Sequence, residues 1–199
     1  IKCENIKMGD VLHYCINEEH TKERYKIIRI LKNIFLKDSY KYINNGRADM
    51  LALCSGDYNH RPEHKSAFKN VVALTDNNMI MICDNKVFCF SQIKYISLFI
   101  KWVKQLKSIF TELDERLYYS GQILKVFVAY NDWQNICKKN NIAVRLLMTY
   151  CDVMPVDSYF TQKFNNDNKM TITLQHGTFN INNNSWGYLG SRSTYFLAE

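Results

Sequence analysis

The sequence lacks the short motifs that mark several large enzyme classes. Across its 199 residues there is no G-x-G-x-x-G, no G-x-x-x-x-G-K-[ST] and no G-x-S-x-G. The first two are glycine-rich loops that bind phosphate groups, and the third is the turn that exposes a nucleophilic serine. Phosphate-loop ATPases and α/β-hydrolases are therefore disfavoured, and "GSRS" at 190–193 does not fit the serine motif.

The seven cysteines form no C-x-x-C pair, and their number is odd. Several lie inside apolar runs such as "MLALCSG" and "NMIMICDNKVFCF", where cysteine behaves as a small buried hydrophobic residue. This usage argues against a disulfide framework and against a zinc site, and it favours a reducing, cytoplasmic location. No apolar run approaches the roughly 20 residues of a membrane span, and no signal peptide is recognisable.

The composition suits one folded domain with a basic surface. Hydrophobic residues make up 47% of the chain, which allows a sizeable core. The net charge of +7 favours anionic partners such as phosphorylated substrates or acidic lipid head groups, although a merely soluble surface explains it equally well. Nucleic acid is not predicted as a partner, because no recognised binding module is present. We expect residues 1–199 to form a single domain cut from a longer chain.

Apolar patterning predicts that strands alternate with helices. Strands are expected at 49–56, at 79–90 (as one strand or as two about Asp84-Asn85), at 123–132, at 170–174 and at 194–198. Helices are expected at 21–45, from Pro62 to about Leu74, at 91–110 and over 133–165 with a break at Pro155. Continuous apolar strands are typical of a parallel sheet that is covered on both faces. The predicted fold class is therefore α/β, with a parallel sheet flanked by helices.

The strand predicted at 170–174 ends at a segment rich in functional groups, "LQHGTF". Gly177 permits a tight turn in which backbone N–H groups can face an anion, together with Gln175 and Thr178. His176 is suited to act as a proton donor or a general base, and ligands of open parallel sheets bind beyond the carboxyl ends of the strands. Alternatively, His176 only forms hydrogen bonds with neighbouring loops and takes no part in binding or catalysis.

The strand predicted at 49–56 ends at Gly56 and continues into "DYNHR". Arg61 can hold a phosphate through two parallel hydrogen bonds, and Asp57 and His60 offer further polar groups. His60 and His64 lack the setting of a metal site, so no metal is predicted. Alternatively, Asp57 only caps a turn and the other side chains lie in solvent.

The segment "AYNDW" places Asn131 and Asp132 at the end of the strand predicted over 123–132. There the carboxylate of Asp132 would contact substrate hydroxyl groups, and Asn131 would add an amide. Alternatively, Asp132 only caps a helix that begins at Trp133.

Residues 91–110 carry the clearest amphipathic pattern of the chain. Four lysines fall within one arc of the predicted helix, and aromatic and aliphatic residues fill the opposite side; the lysines are Lys94, Lys101, Lys104 and Lys107. One interpretation is an outer helix that packs its apolar side on the sheet. The other is contact of the lysine arc with an anionic membrane surface.

Three segments of the sequence resemble those of a known family. "TITLQHGTF", followed by "STYFLAE", resembles the end of the N-terminal half of bacterial surface-polysaccharide glycosyltransferases with the GT-B architecture. "QHG" also resembles the "HGT" step of CDP-glycerol glycerophosphotransferases, and "IKMGDVLHY" is similar to an early Gly-Asp-plus-aromatic segment in such proteins.

The resemblance implies a Rossmann-like domain that binds the acceptor, a saccharide or a lipid-linked saccharide. A donor-binding domain beyond Glu199 would bind a nucleotide sugar as co-substrate, with no further cofactor. The expected location is cytoplasmic, and contact of the lysine arc of 91–110 with an anionic surface would place the protein at the inner face of the cell membrane. The implied catalytic residues are His176, Asp57 and Asp132, and the implied substrate-binding residues are Gln175, Gly177, Thr178, Arg61, His60, Gly56 and Asn131. The alternatives are a CDP-glycerol-type polyol-phosphate transferase and a non-catalytic module that binds anionic lipid-linked saccharide.

Overall fold

The computed structural model describes most of the second half of the chain and parts of the first. The described residues are 6–9, 11–12, 35–43, 49–54, 62–75, 79–88, 90–149, 154–174 and 195–197.

The described strands form one sheet with five parallel members. The strands are β1 (Leu36–Ile43), β2 (Met50–Cys54), β3 (Met79–Phe88), β4 (Leu146–Thr149), β5 (Met170–Leu174) and β6 (Tyr195–Leu197). Their order across the sheet is β1-β3-β2-β4-β5-β6, and only β1, at one edge, runs antiparallel to its neighbour. β2 lies near the centre, and its residues from Met50 to Leu53 are at most 2% exposed. Because β2 is buried on both faces, successive residues in its sequence are apolar.

Helices cover both faces of the sheet. They are α1 (Pro62–Thr75), α2 (Ile96–Gln105), α3 (Leu113–Asn140) and α4 (Pro155–Asn166), and short 3₁₀ helices at Phe90–Tyr95 and Leu106–Ser108 flank α2. Phe68 of α1 packs on the face that carries Met50 and Ala52. α3 and α4 pack on the opposite face, which carries Leu51 and Leu53. The predicted α/β class with a helix-flanked parallel sheet is confirmed.

The strand predicted at 123–132 is wrong, because these residues lie inside the long helix α3. Ile123 packs beside Tyr118 and Tyr119, Leu124 packs against Phe99 of α2, and Val126 packs toward the sheet. A helix that is buried on several sides loses the polar stripe that would reveal its period. The β-branched run in "ILKVFVAY" then resembles a buried strand.

Sequence signals at the two ends of α3 are clear once the helix is known. Asp114 and Glu115 lie in its first turn and Lys138 and Lys139 in its last turn, where their charges complement the helix dipole. Asn141 ends the helix in the left-handed conformation, with a φ of 51°.

Three other predicted elements need correction. The predicted helical region 133–165 contains β4, whose four residues "LLMT" are too few to show a period. Within the predicted helix 21–45, the part Leu36–Ile43 is the edge strand β1, and 21–34 lie outside the described residues. The predicted helix 91–110 is a 3₁₀ helix, α2 and a second 3₁₀ helix in succession. At 79–90 the structure has one strand, and its pairing with β1 shifts register at Asp84-Asn85.

Candidate functional site

The candidate site lies at the carboxyl edge of the sheet, between β2 and β4. From β2 the chain passes through α1 to β3 on one side, whereas β4 pairs with β2 on the other side. The helices that follow β2 and β4 pack on opposite faces of the sheet. In open α/β sheets, ligands bind beyond the carboxyl ends of strands whose chain connections diverge in this way.

The two strands that precede the predicted site segments end at this same edge. β2 ends at Cys54 and β5 ends at Leu174, and both run parallel to β4, which lies between them. Because neighbouring strands are about 4.8 Å apart, the two ends are roughly 10 Å apart. Most of the predicted site residues follow these two ends and lie outside the described residues: Gly56, Asp57, His60, Arg61, Gln175, His176, Gly177 and Thr178.

Asn131 and Asp132 do not follow a strand end. Both lie in the interior of α3, and Asp132 is 9% exposed. Since α3 begins at Leu113, Asp132 does not cap a helix at Trp133 either. Both placements of "AYNDW", at the end of a strand and at the start of a helix, were wrong because these residues lie inside a helix. The substrate roles of Asn131 and Asp132 stay predictions.

A pair of threonines at the carboxyl edge is a feature that the sequence did not reveal. Thr149 and Thr173 are aligned on β4 and β5, and their Oγ1 atoms are 2.7 Å apart. Both side chains are buried, on the sheet face that carries Leu147. The hydrogen bond between them fixes β4 relative to β5 one residue before the chain leaves β5. The alternation in "MTITL" was a signal for inward-facing threonines, but their pairing requires β4, which was not predicted.

A double-mutant cycle tests this threonine pair. We expect Thr149→Val to lower the free energy of unfolding by about 1–3 kcal/mol, because it leaves the buried Thr173 hydroxyl with one partner fewer. The double variant with Thr173→Val should lose clearly less than the sum of the two single variants, as contacting residues are coupled. Urea denaturation provides the measurement, and additive losses would contradict the hydrogen bond.

Helix α4 also begins close to the carboxyl edge, just after β4. Pro155 occupies its start, and Asp157, only 4% exposed, lies in its first turn. An acidic residue there complements the positive end of the helix dipole. Its negative charge opposes the binding of a phosphate at this end of the helix.

The described ionisable groups with clearly shifted pKa values are structural. Burial raises the pKa of the Cys137 thiol to about 11, against a smaller opposing effect of Lys169. Burial, followed by the charge of Asp167, also raises the pKa of Tyr130, although the Nε2 of Gln134 donates a 2.9 Å hydrogen bond to its Oη. A nucleophilic thiol needs a lowered pKa, so Cys137 is not one.

Alkylation of Cys137 by iodoacetamide at pH 8 should be slow. A pKa of about 11 instead of 9.0 implies roughly a hundredfold less thiolate than in an ordinary thiol. Lys169→Met should slow the reaction further because it removes a charge that lowers this pKa, and Lys138→Met serves as the control. Mass spectrometry resolves the modified cysteines. Alkylation at the rate of the urea-denatured chain would contradict the burial of this thiol.

Metal ligands, membrane-spanning helices and similarity to known proteins do not identify a function for the described part of the chain. In the part of the chain that the structure describes, no three His, Cys, Asp or Glu side chains come together as metal ligands. No helix among the described residues has the length and apolar character needed to cross a membrane. No protein-family model, no curated protein and no solved structure matches the chain. The carboxyl edge of the sheet is therefore the basis for a functional proposal.

Proposed function

We propose that the chain is the acceptor-binding domain of a glycosyltransferase that acts in bacterial cell-surface polysaccharide synthesis. Its sheet would be the Rossmann-like sheet of the N-terminal half of a GT-B enzyme. The observation that carries the proposal is the strand order, in which β2 and β4 are parallel neighbours whose chain connections diverge, because the segment after β2 begins at that carboxyl edge. The segment with the family-like "QHGT" begins one strand further along the same edge.

The proposed reaction joins an acceptor hydroxyl oxygen to the anomeric carbon of a nucleotide sugar. The bond from that carbon to the nucleoside diphosphate breaks, and the diphosphate leaves with its electron pair. His176 takes the proton of the acceptor hydroxyl group, as a general base does. Asp57 and the amide of Gln175 bind acceptor hydroxyl groups, and Arg61 binds a phosphate of a lipid-linked acceptor. The donor is bound by a second domain, and closure of the cleft aligns the reacting groups.

The full-length protein assayed against a panel of nucleotide sugars and CDP-polyols tests the proposal. We expect one nucleotide sugar to release its nucleotide, and the release to depend on a saccharide or lipid-linked saccharide acceptor. Release of CMP from CDP-glycerol alone would assign the polyol-phosphate transferase reaction instead, in which the acceptor attacks phosphorus. Binding of the acceptor without turnover of any donor would reduce the chain to a binding module.

A further inference from the structure

One stretch of the described surface exposes large aliphatic side chains. Of the five large hydrophobic residues that are exposed among the described residues, four lie between 93 and 113: Ile93 (61% exposed), Ile100 (48%), Ile109 (70%) and Leu113 (53%). Single exposed hydrophobic residues are ordinary, whereas contiguous exposed apolar surface is characteristic of interaction sites. We call residues 93–107, with their exposed isoleucines and lysines, the basic apolar strip.

The charge of this strip has one sign. Lys94, Lys101, Lys104 and Lys107 are exposed, and no Asp or Glu occurs from 90 to 111. Two Ile-Lys steps occur in the strip, Ile93-Lys94 and Ile100-Lys101. Ile100 and Lys104 are also neighbours on one helix face, because residues four apart lie one above the other. Aliphatic and cationic groups therefore share one surface.

The inner side of α2 is anchored to α3, so the strip has a fixed support. Phe99 is 8% exposed and packs with Leu124 and Val128. Trp102 contacts the ring of Phe127 edge-to-face, with a centroid distance of 5.6 Å. The aromatic residues thus serve the packing between helices, which leaves the isoleucines and lysines to face outward.

We propose that the basic apolar strip docks on a lipid bilayer with anionic head groups. The exposed isoleucines enter the boundary between head groups and acyl chains, and the lysine ammonium groups contact lipid phosphates. Charge complementarity selects an anionic partner. The exposed isoleucines favour lipid over nucleic acid, because aliphatic side chains gain nothing from a phosphate backbone and nucleic acids are bound through arginine and stacked aromatic rings. This inference concerns membrane attachment and does not depend on the proposed sugar transfer.

Co-sedimentation with vesicles tests the inference. We expect the full chain to sediment with vesicles that contain phosphatidylglycerol and to stay in solution with pure phosphatidylcholine. Two variants dissect the strip: Ile93→Ser with Ile100→Ser, and Lys101→Gln with Lys104→Gln and Lys107→Gln. Each should reduce partitioning at least roughly tenfold, because both apolar insertion and charge contribute to interfacial binding. All five substitutions are at exposed positions, and thermal unfolding checks that the fold is kept.

Matched controls lie outside the strip. Met170→Ser removes another exposed hydrophobic side chain, and Lys138→Gln with Lys139→Gln removes exposed charge from the end of α3; neither should change partitioning. Loss of binding in the lysine variant but not in the isoleucine variant would overturn the insertion of the isoleucines, because charge alone would then account for the attraction and an anionic polymer would satisfy it equally. Equal binding of all variants, or no binding to phosphatidylglycerol vesicles, would overturn it outright.

Discussion

Replacement of Phe160 by alanine should lower the free energy of unfolding by about 3–5 kcal/mol. Phe160 is fully buried in the core between α4, α3 and the sheet. Its ring meets the ring of Tyr130 edge-to-face at a centroid distance of 5.1 Å. Phe160→Ala removes both the buried aromatic surface and the support for Tyr130, and neighbouring elements cannot close the cavity without moving α4 off β4 and β5. The free energy of unfolding of small domains is only about 5–15 kcal/mol, so the loss of this one side chain would remove a large share of it.

Urea denaturation followed by far-UV circular dichroism measures this effect. Met170→Ala is the matched control, since Met170 also belongs to this part of the chain but is 46% exposed. Its effect should stay within about 0.5 kcal/mol. A loss of less than about 1 kcal/mol in Phe160→Ala would contradict the packing of α4 on the parallel sheet.

Elements with clear boundaries in the sequence were predictable. β2 is a short apolar run followed by Ser55-Gly56, and α1 begins at a proline, the residue that is favoured in the first turn of a helix. β5 is an alternating run after a polar stretch. Their local signals agree with their tertiary environment, so the pattern alone located them.

Elements whose environment differs from their local pattern were not predictable. α3 is enclosed by α2, α4 and the sheet, so most of its faces are apolar and no period of 3.6 residues stands out. β4 has four residues, and its identity as a strand comes from parallel pairing with β2 and β5. Such pairing between distant segments leaves no trace in a four-residue window.

In the candidate site, too, the features that follow from correctly predicted strands were predictable and the others were not. The alignment of the ends of β2 and β5 at one edge follows from the prediction of parallel strands, and it is confirmed. The placement of Asn131 and Asp132 depended on a strand that is a helix, and it failed. The Thr149–Thr173 pair depends on the register between β4 and β5, which only the folded chain provides.

The full-length protein with His176→Ala should lose turnover by roughly 10²–10⁴-fold on the donor and acceptor that the panel identifies, with little change in the KM for the donor. The reason is that in the proposed reaction His176 takes the proton of the acceptor hydroxyl group; β5, the described strand that precedes it, ends at Leu174 on the carboxyl edge. An imidazole changes charge near neutral pH, and a general base works only when unprotonated. Wild-type turnover should therefore rise with pH through this range, and the variant should lose that rise.

Two further variants separate the role of His176 in the reaction from a role in folding. His20→Ala removes a histidine that the sequence does not place at a strand end, and turnover should be unchanged. His176→Asn keeps a hydrogen-bonding side chain but removes the base. Recovery of most of the turnover in His176→Asn would identify His176 as a hydrogen-bond donor to phosphate, because asparagine can donate such a bond but cannot accept a proton. Near-normal turnover in His176→Ala would remove the residue from the reaction, whereas vesicle binding by the strip would stand unaffected by either result.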